Sequence, residues 1–586
     1  MESNTLDNKE TMVGSDCVTA DDRNIVEYKF TNGDVKNELV TTTIPEKKVF
    51  DDIYKVMGDV GYYHIMVYVF SQLIETSCAA AIMYFVFETA DPQWTCSDTD
   101  YTTRIGNRTK MSEQERCDLG CANITYNGVF WSIVAQWDLI CDRAYLAKLV
   151  GSLFFAGVLC GALIGGQLSD WFGRKRTMLV VWFLLICSQS CLCATNTFEV
   201  YVFLRTWVGI FSGGVICIAP IIAIEYLGPT RRTVACYRFG WKLGPLSIAL
   251  MAFVFGTWRW LSLIVGLLTL PLFPFMIFFL PESARWLIQK KRTDDALYWL
   301  NKMARCNKRD PISRDLLVEI EQTERLRLTM THKYSLIDLF RTRVMAKRTI
   351  VIGYAWFSVA TVWYGILAHV GTMSGNLYLN ASITAVGDTV VRWTSIFIIH
   401  WLGRRKSYTL YMGIGGIGMI MILIFDMTGY TAEHPLVQTY LALAAFILMG
   451  GGWGVINLQV TELFPTLLRN AAAGVGNVGA RVASILSPQI TLLAAFHKTI
   501  PYAILGIFSI SSLVLMLLFI PETKNQPLPD ELPAESIREM ERNARRKQQQ
   551  TQPQQQQQDG DCKNSTLLHQ STADVSVEPE HHNTAL

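Results

Sequence analysis

Apolar residues along this chain are gathered into blocks of about 20, the length at which an α-helix crosses ~30 Å of hydrocarbon. The blocks lie near 62–87, 147–168, 178–195, 200–222, 235–256 and 258–280, and resume after a charged interruption near 349–369, 377–400, 408–425, 435–458, 471–495 and 501–520. This pattern predicts an all-α polytopic membrane protein with twelve transmembrane helices in two six-helix pseudo-repeats. Gly256 to Trp260 mark the turn between spans 5 and 6. The expected organisation is a polar N-terminal tail (1–61), a first bundle (62–280) with a large loop at 88–146, an inter-bundle segment (281–348), a second bundle (349–520) and a disordered C-terminal tail (521–586). No apolar core follows a short basic N-terminus, so span 1 is expected to be an uncleaved anchor rather than a signal peptide.

Composition supports this class. Only 17% of the 586 residues are charged, against about 25% in soluble proteins. The 52 basic and 50 acidic residues nearly cancel, which argues against a nucleic-acid binder. Their placement sets the orientation, because Lys and Arg concentrate in cytoplasmic loops. Arg174, Lys175 and Arg176 join spans 2 and 3, Arg231 and Arg232 join spans 4 and 5, and Arg404, Arg405 and Lys406 join spans 8 and 9. Arg469 lies between spans 10 and 11, and the opposite short loops hold almost no basic residues. Both termini and the insert 282–348 are therefore expected in the cytosol, and the segment 88–146 outside.

That outer segment contains Cys96, Cys117, Cys121 and Cys141, in a compartment where disulfides persist. Two bridges are expected, with three connectivities open. It also carries glycosylation sequons at Asn107 and Asn123, which makes the protein an expected glycoprotein. The C-terminal tail contains a glutamine run from Gln548 to Gln558 and ends in Thr584-Ala-Leu586. A free carboxylate after such residues fits a PDZ-domain groove. The nine histidines form no metal-ligand cluster in sequence, and no metal, cofactor or enzymatic chemistry is expected.

The two halves repeat one another. Asp170-Trp-Phe-Gly173-Arg174 after span 2 is echoed by His400-Trp-Leu-Gly403-Arg404 after span 8, at an offset of 230 residues. Glu225 to Arg231 matches Glu462 to Arg469, and Pro281-Glu282-Ser283 matches Pro521-Glu522-Thr523, at offsets of 237 and 240. Parallel six-helix repeats place a binding site at mid-depth between two bundles. Asp170, Gly173, Arg174, Glu225, Arg231, Arg404, Glu462 and Arg469 are candidate gating residues, pairing across the bundles in one state and separating in the other. The alternative for the basic members is a purely topogenic role.

These residues carry a resemblance. Gly166 to Lys175 resembles the loop signature of the major facilitator superfamily. Together with Trp137-Asp-Leu-Ile-Cys141-Asp142, Pro281-Glu-Ser-Ala-Arg-Trp-Leu287, Glu462-Leu-Phe-Pro-Thr466 with Arg469-Asn470, and the cysteine-bearing loop, it is similar to the organic cation, anion and carnitine transporters (solute carrier family 22) over roughly residues 55–525. The resemblance implies a plasma-membrane secondary transporter of small organic ions, working by alternating access.

Substrate charge follows from ionisable residues inside the spans, which cost at least ~2.5–3.5 kcal/mol at mid-membrane and are functional by default. Arg238 and Lys242 in span 5, Arg392 in span 8 and Arg481 in span 11 face Glu75 and Asp388, four cations against two acids. Arg238 and Lys242 share a helix face and repel unless an anion lies near. Asp388 and Arg392 have the same spacing with opposite sign, so a structural salt bridge is the alternative for Arg392. Arg481 has no acid on its span, and its guanidinium fork suits a carboxylate. The family resemblance implies Arg at the Arg481 position, and a Lys at the Arg392 position, in anion-carrying members. Ser374-Gly-Asn-Leu-Tyr378 resembles the cation branch instead. Trp356, Phe357, Trp363 and Tyr364 in span 7 are candidates to clamp an apolar substrate body, with lipid-facing or packing roles as the alternative. The glycines from Gly450 to Gly454 allow close packing or a flexible point. The reading that results is an organic anion transporter, with dicarboxylate exchange implied by the resemblance. A carnitine-like zwitterion or cation carrier, and a non-transporting sensor or scaffold, are the alternatives.

Overall fold

In a computed structural model, residues 50–58, 61–96, 117, 124–228, 239–330, 336–526, 538 and 542 are described. Twelve helical segments follow the twelve apolar blocks: α1 (Tyr62–Glu88), α2 (Ala144–Phe172), α3 (Arg174–Cys191), α4 (Phe198–Tyr226), α5 (Phe239–Phe255), α6 (Trp258–Phe279), α7 (Arg343–His369), α8 (Leu377–Leu402), α9 (Arg404–Met427), α10 (Pro435–Leu463), α11 (Thr466–Leu492) and α12 (Ile500–Phe519). Among the described residues, ten of these are long and apolar enough to cross a membrane. Of the other two, α5 has 17 described residues, and residues 229–238 before it lie outside the described residues. α11 has 27 residues but carries Asn470, Asn477 and Arg481.

Span 6 is not one continuous helix. It runs Trp258–Leu267, narrows to a tighter turn at Leu270–Leu272, and restarts at Phe273–Phe279. Pro271 and Pro274 explain the break, since each lacks the N–H that a helix interior needs. Gly256, at φ +64, makes the turn between α5 and α6.

α2 and α4 meet backbone to backbone. A Cβ on Gly161 would lie 1.8 Å from the Ile210 carbonyl oxygen, and one on Gly213 would lie 2.1 Å from that of Val158. Without a hydrophobic drive between helices in lipid, such small-residue contacts supply the packing. The glycine cluster of α10 serves the same purpose: a Cβ on Gly451 would strike the Tyr411 ring at 2.5 Å, and one on Gly450 would lie 2.3 Å from Asp388 Oδ1. Close packing thus accounts for Gly450 and Gly451.

The segment 88–146 is tied to the bundle by a disulfide between Cys117 and Cys141. Cys96 is also disulfide-bonded, and Cys121, with Asn107 and Asn123, lies outside the described residues. Two short antiparallel strands, β1 (Trp94–Cys96) and β2 (Ile124–Tyr126), pair in this segment, a small addition to an otherwise helical chain. At the opposite end, which carries the Gly-Arg turns, the inter-bundle segment forms helices Ala284–Gln289, Thr293–Cys306 and Arg314–Met330. It docks on the first bundle through Asn307, whose Oδ1 accepts from the Tyr63 N–H at 3.0 Å.

The bundles touch along α2–α11 and α5–α8. Ser152 Oγ donates to the Ile485 carbonyl at 2.7 Å, Gln489 Nε2 donates to Ser152 Oγ at 3.0 Å, and the rings of Phe155 and Tyr364 meet at 4.9 Å. The disulfide end is shut. The Asp91 N–H donates to the Gly371 carbonyl at 3.2 Å, and Tyr378 stacks on Phe87 while its hydroxyl donates to the Val129 carbonyl. Every residue from Ile74 to Ala90 and from Ser358 to Ala368 is buried. By contrast, α11 leaves Asn470, Gly474 and Asn477 exposed, and α10 leaves Gly454, Asn457 and Thr461 exposed. Polar residues on an open face at membrane depth belong to a water-filled cavity, so this cavity opens toward the Gly-Arg end.

Candidate functional site

The Gly-Arg turns have the same construction in both halves. Gly173 closes α2 at φ +106, and Gly403 closes α8 at φ +91, a region where a Cβ is unfavourable. Space also demands glycine: a Cβ on Gly173 would lie 2.4 Å from Glu282 Oε2, and one on Gly403 would lie 2.8 Å from Glu522 Oε2. Each carboxylate caps the next helix. Glu282 accepts from the Lys175 N–H at 3.0 Å, and Glu522 accepts from the N–H groups of Arg404 at 2.8 Å and Arg405 at 3.1 Å. A negative charge at a helix N-terminus is favourable there. The Pro-Glu-Ser and Pro-Glu-Thr repeat assigns these acids no role by itself, although their matched position in the two halves is a signal of one.

The charged side chains at these turns pair inside their own bundle. Arg174 bonds Asp170 and lies 3.7 Å from Glu225. Arg404 Nη2 is 2.6 Å from Glu462 Oε1, and Thr523 Oγ1 donates to the other oxygen of Glu462 at 2.6 Å. The expected pairing across the bundles is absent from these contacts, because the cavity opens between them at this end. Arg231 lies outside the described residues. Arg469 Nε and Nη2 are buried without a hydrogen-bond partner among the described residues.

Midway along α8, and in the first turn of α5, a charge pair joins the bundles. Lys242 Nζ is 2.6 Å from Asp388 Oδ2, and Arg392 Nε donates to both oxygens of the same carboxylate at 3.0 Å. Lys242 is thus not an isolated cation waiting for an anion, and Arg392 is in the intrahelical salt bridge that its spacing allowed. Arg238 lies outside the described residues, and Glu75 is buried at 1% exposure. Arg481 differs from the others. It is half-buried on the open polar face of α11, near the helix middle, and forms no ion pair among the described residues.

The aromatic residues of α7 divide. Trp356 packs edge-on against Trp453. Trp363 stacks on Phe446 and meets Tyr364 at right angles. The indole N–H groups of Trp356, Trp363 and Trp453 are buried without a partner among the described residues, a costly state for a donor unless a guest supplies an acceptor. Phe357 instead packs against Phe508 of α12, in the wall of the second bundle.

One buried ion pair has no counterpart among the charges singled out from the sequence. Arg205 Nε lies 2.9 Å from Glu88 Oε2, and both side chains are 0% exposed. Tyr201 donates to the same carboxylate, and the guanidinium lies 4.1 Å from the Phe154 ring centre. α1 runs one residue beyond the apolar block and so carries Glu88 into the bundle. The lone Arg205 within an apolar block was the signal, since such a charge requires a counter-ion. The pair is electrically neutral and leaves the sign of the cavity unchanged.

Two matched six-helix bundles, closed at one end, open at the other and joined by charge at mid-depth, are the architecture of a major facilitator transporter. Residues 77–531 match the family model described as sugar (and other) transporter. The chain is 30% identical over 496 residues to the solute carrier family 22 member 15-like protein of Xenopus tropicalis, covering 84% of this chain and 96% of that one. It is also 30% identical over 420 residues to organic anion transporter 3 of Homo sapiens, covering 70% and 74%. Among solved structures it resembles the partially occluded inward open conformation of the xylose transporter XylE from E. coli, with a TM-score of 0.54, 17% identity, and coverage of 79% of this chain and 100% of that one. This chain belongs to the sugar (and other) transporter family, and within it to solute carrier family 22. It is a multi-pass membrane transporter of small molecules and not an enzyme.

Proposed function

We propose that this protein carries organic anions across the plasma membrane by alternating access, with both termini and the Gly-Arg end in the cytosol. The observation that carries this reading is Arg481, a guanidinium on an open polar face with no ion pair among the described residues. Among the described residues within the spans, the cations Lys242, Arg392 and Arg481 against the carboxylates of Asp388 and Glu75 leave an excess of one positive charge. A substrate carboxylate binds Arg481, and the unpartnered indole donors of Trp356 and Trp363 receive further acceptors. An anion that also attracts Lys242 weakens its bond to Asp388 and so loosens the link between bundles. Cations find the site poorly matched, because Asp388 is already held by two cations. The relatives named as organic anion transporters support the same choice. The tail Thr584-Ala-Leu586, outside the described residues, is proposed as a PDZ ligand that governs surface abundance.

The test is uptake of labelled anionic, zwitterionic and cationic probes into cells expressing the chain, with surface protein measured in parallel. Saturable anion uptake is expected, stimulated by preloading cells with a dicarboxylate. Arg481→Asp should reduce it by at least tenfold, since hydrogen bonds to charged groups contribute roughly 1.5–3 kcal/mol. Uptake of cations but not anions would overturn the proposal. No uptake of any probe despite surface expression would favour a sensor.

A further inference from the structure

A lateral cleft of about 540 Å³ separates α7 from α12 at the Gly-Arg end. Arg343 and Lys347 lie at one end of it, and Ile350, Leu515 and Phe519 form apolar walls. Tyr354 closes the far end, where its hydroxyl is engaged with Ser511 Oγ at 2.7 Å. The cleft faces outward from the bundle, since Ile350 is 61% exposed and the neighbouring Leu518 is 68% exposed. In a membrane those positions meet lipid.

Its dimensions and charge fit one kind of occupant. From Arg343 to Tyr354 is eleven helical positions, or about 16 Å at ~1.5 Å per residue. That is half of the ~30 Å hydrocarbon thickness, so the cleft runs from headgroup level to the bilayer centre. The cations occupy the headgroup end, and no charged side chain lies deeper in it. Lys347 Nζ sits 3.9 Å over the Phe519 ring, which holds the ammonium at the rim. Juxtamembrane cations of this kind attract anionic lipid.

We infer that this cleft is a binding site for an anionic phospholipid of the leaflet at the Gly-Arg end, with an acyl chain along Ile350 and Leu515 and the headgroup phosphate between Arg343 and Lys347. The site is separate from the central cavity and does not depend on which substrate is carried.

The test uses the purified full chain, offered equal amounts of phosphatidylserine and phosphatidylcholine and examined by native mass spectrometry. The chain should retain phosphatidylserine preferentially, and Arg343→Gln and Lys347→Gln should each lower that preference about fivefold. Ile350→Trp, which fills the apolar wall, should reduce retention of the lipid while leaving the unfolding midpoint in lipid-free detergent unchanged. The unmodified chain gives a second reading: its unfolding midpoint should be higher in phosphatidylcholine nanodiscs containing phosphatidylserine than in phosphatidylcholine alone. Equal retention of the two lipids, an unchanged preference in the two Gln variants, or no change of midpoint would overturn the inference. Displacement of phosphatidylserine by an equal amount of soluble glycerophosphoserine would overturn the lipid assignment and indicate a headgroup-only site.

Discussion

Asp388 holds two cations at once, and removing it has a consequence that a simple salt bridge would not show. Lys242 Nζ lies 2.6 Å from one oxygen, and Arg392 Nε lies 3.0 Å from both. In Asp388→Asn the two cations remain, held within about 6 Å of each other by their shared partner. At an effective dielectric near 20 their repulsion is roughly 3 kcal/mol, and breaking a buried pair costs about 3–5 kcal/mol. Lys242→Met is milder, because Asp388 keeps Arg392. The double variant then removes the repelling cation. Lys242→Met should therefore lower the thermal unfolding midpoint of the native chain but raise that of Asp388→Asn. The assay is the midpoint of the purified protein in one detergent for all four members of the cycle. If the double variant is the least stable of the four, the two cations do not share the carboxylate, and the reasoning fails.

Three further outcomes follow from the geometry. Gly173→Ala and Gly403→Ala should each destabilise the protein by about 1–3 kcal/mol, seen as a lower midpoint and less folded protein on size exclusion. Unchanged behaviour would show that the turns tolerate a Cβ beside Glu282 and Glu522. Cys117→Ser with Cys141→Ser should cost about 2–4 kcal/mol, and reductant should then shift the midpoint less than in the native chain. Arg205→Met should cost about 3–5 kcal/mol by stranding Glu88, whereas adding Glu88→Leu should recover most of that; an additive loss would refute the pairing.

Much of the scaffold was legible because lipid imposes a simple rule. Segments that cross hydrocarbon must be apolar over about 20 residues and must satisfy their own backbone. That rule marked all twelve spans, and Pro271 and Pro274 broke span 6 where a count of apolar residues could not see a break. The site was legible only as a set of residue types. Arg481, Arg392, Lys242 and Asp388 stood out because charge in a span is costly, but partnership depends on which helix faces which. Arg392 and Asp388 share a helix, so spacing revealed their bond. Lys242 reaches Asp388 over 146 residues of chain, and Glu88 reaches Arg205 over 117; no local pattern encodes either. Nor does any local pattern show whether the charges at the turns pair within or between bundles, because that depends on which end of the cavity is open.

By itself, then, the order of residues determined the twelve spans, the duplicated turns and the excess of cations at membrane depth, because these follow from local hydropathy and repetition. The tertiary structure decided which of those cations is satisfied. It joined Lys242 and Arg392 to one carboxylate, neutralised Arg205 with Glu88, and left Arg481 on an open face with no ion pair among the described residues, because the fold decides which distant helices come within reach of one another.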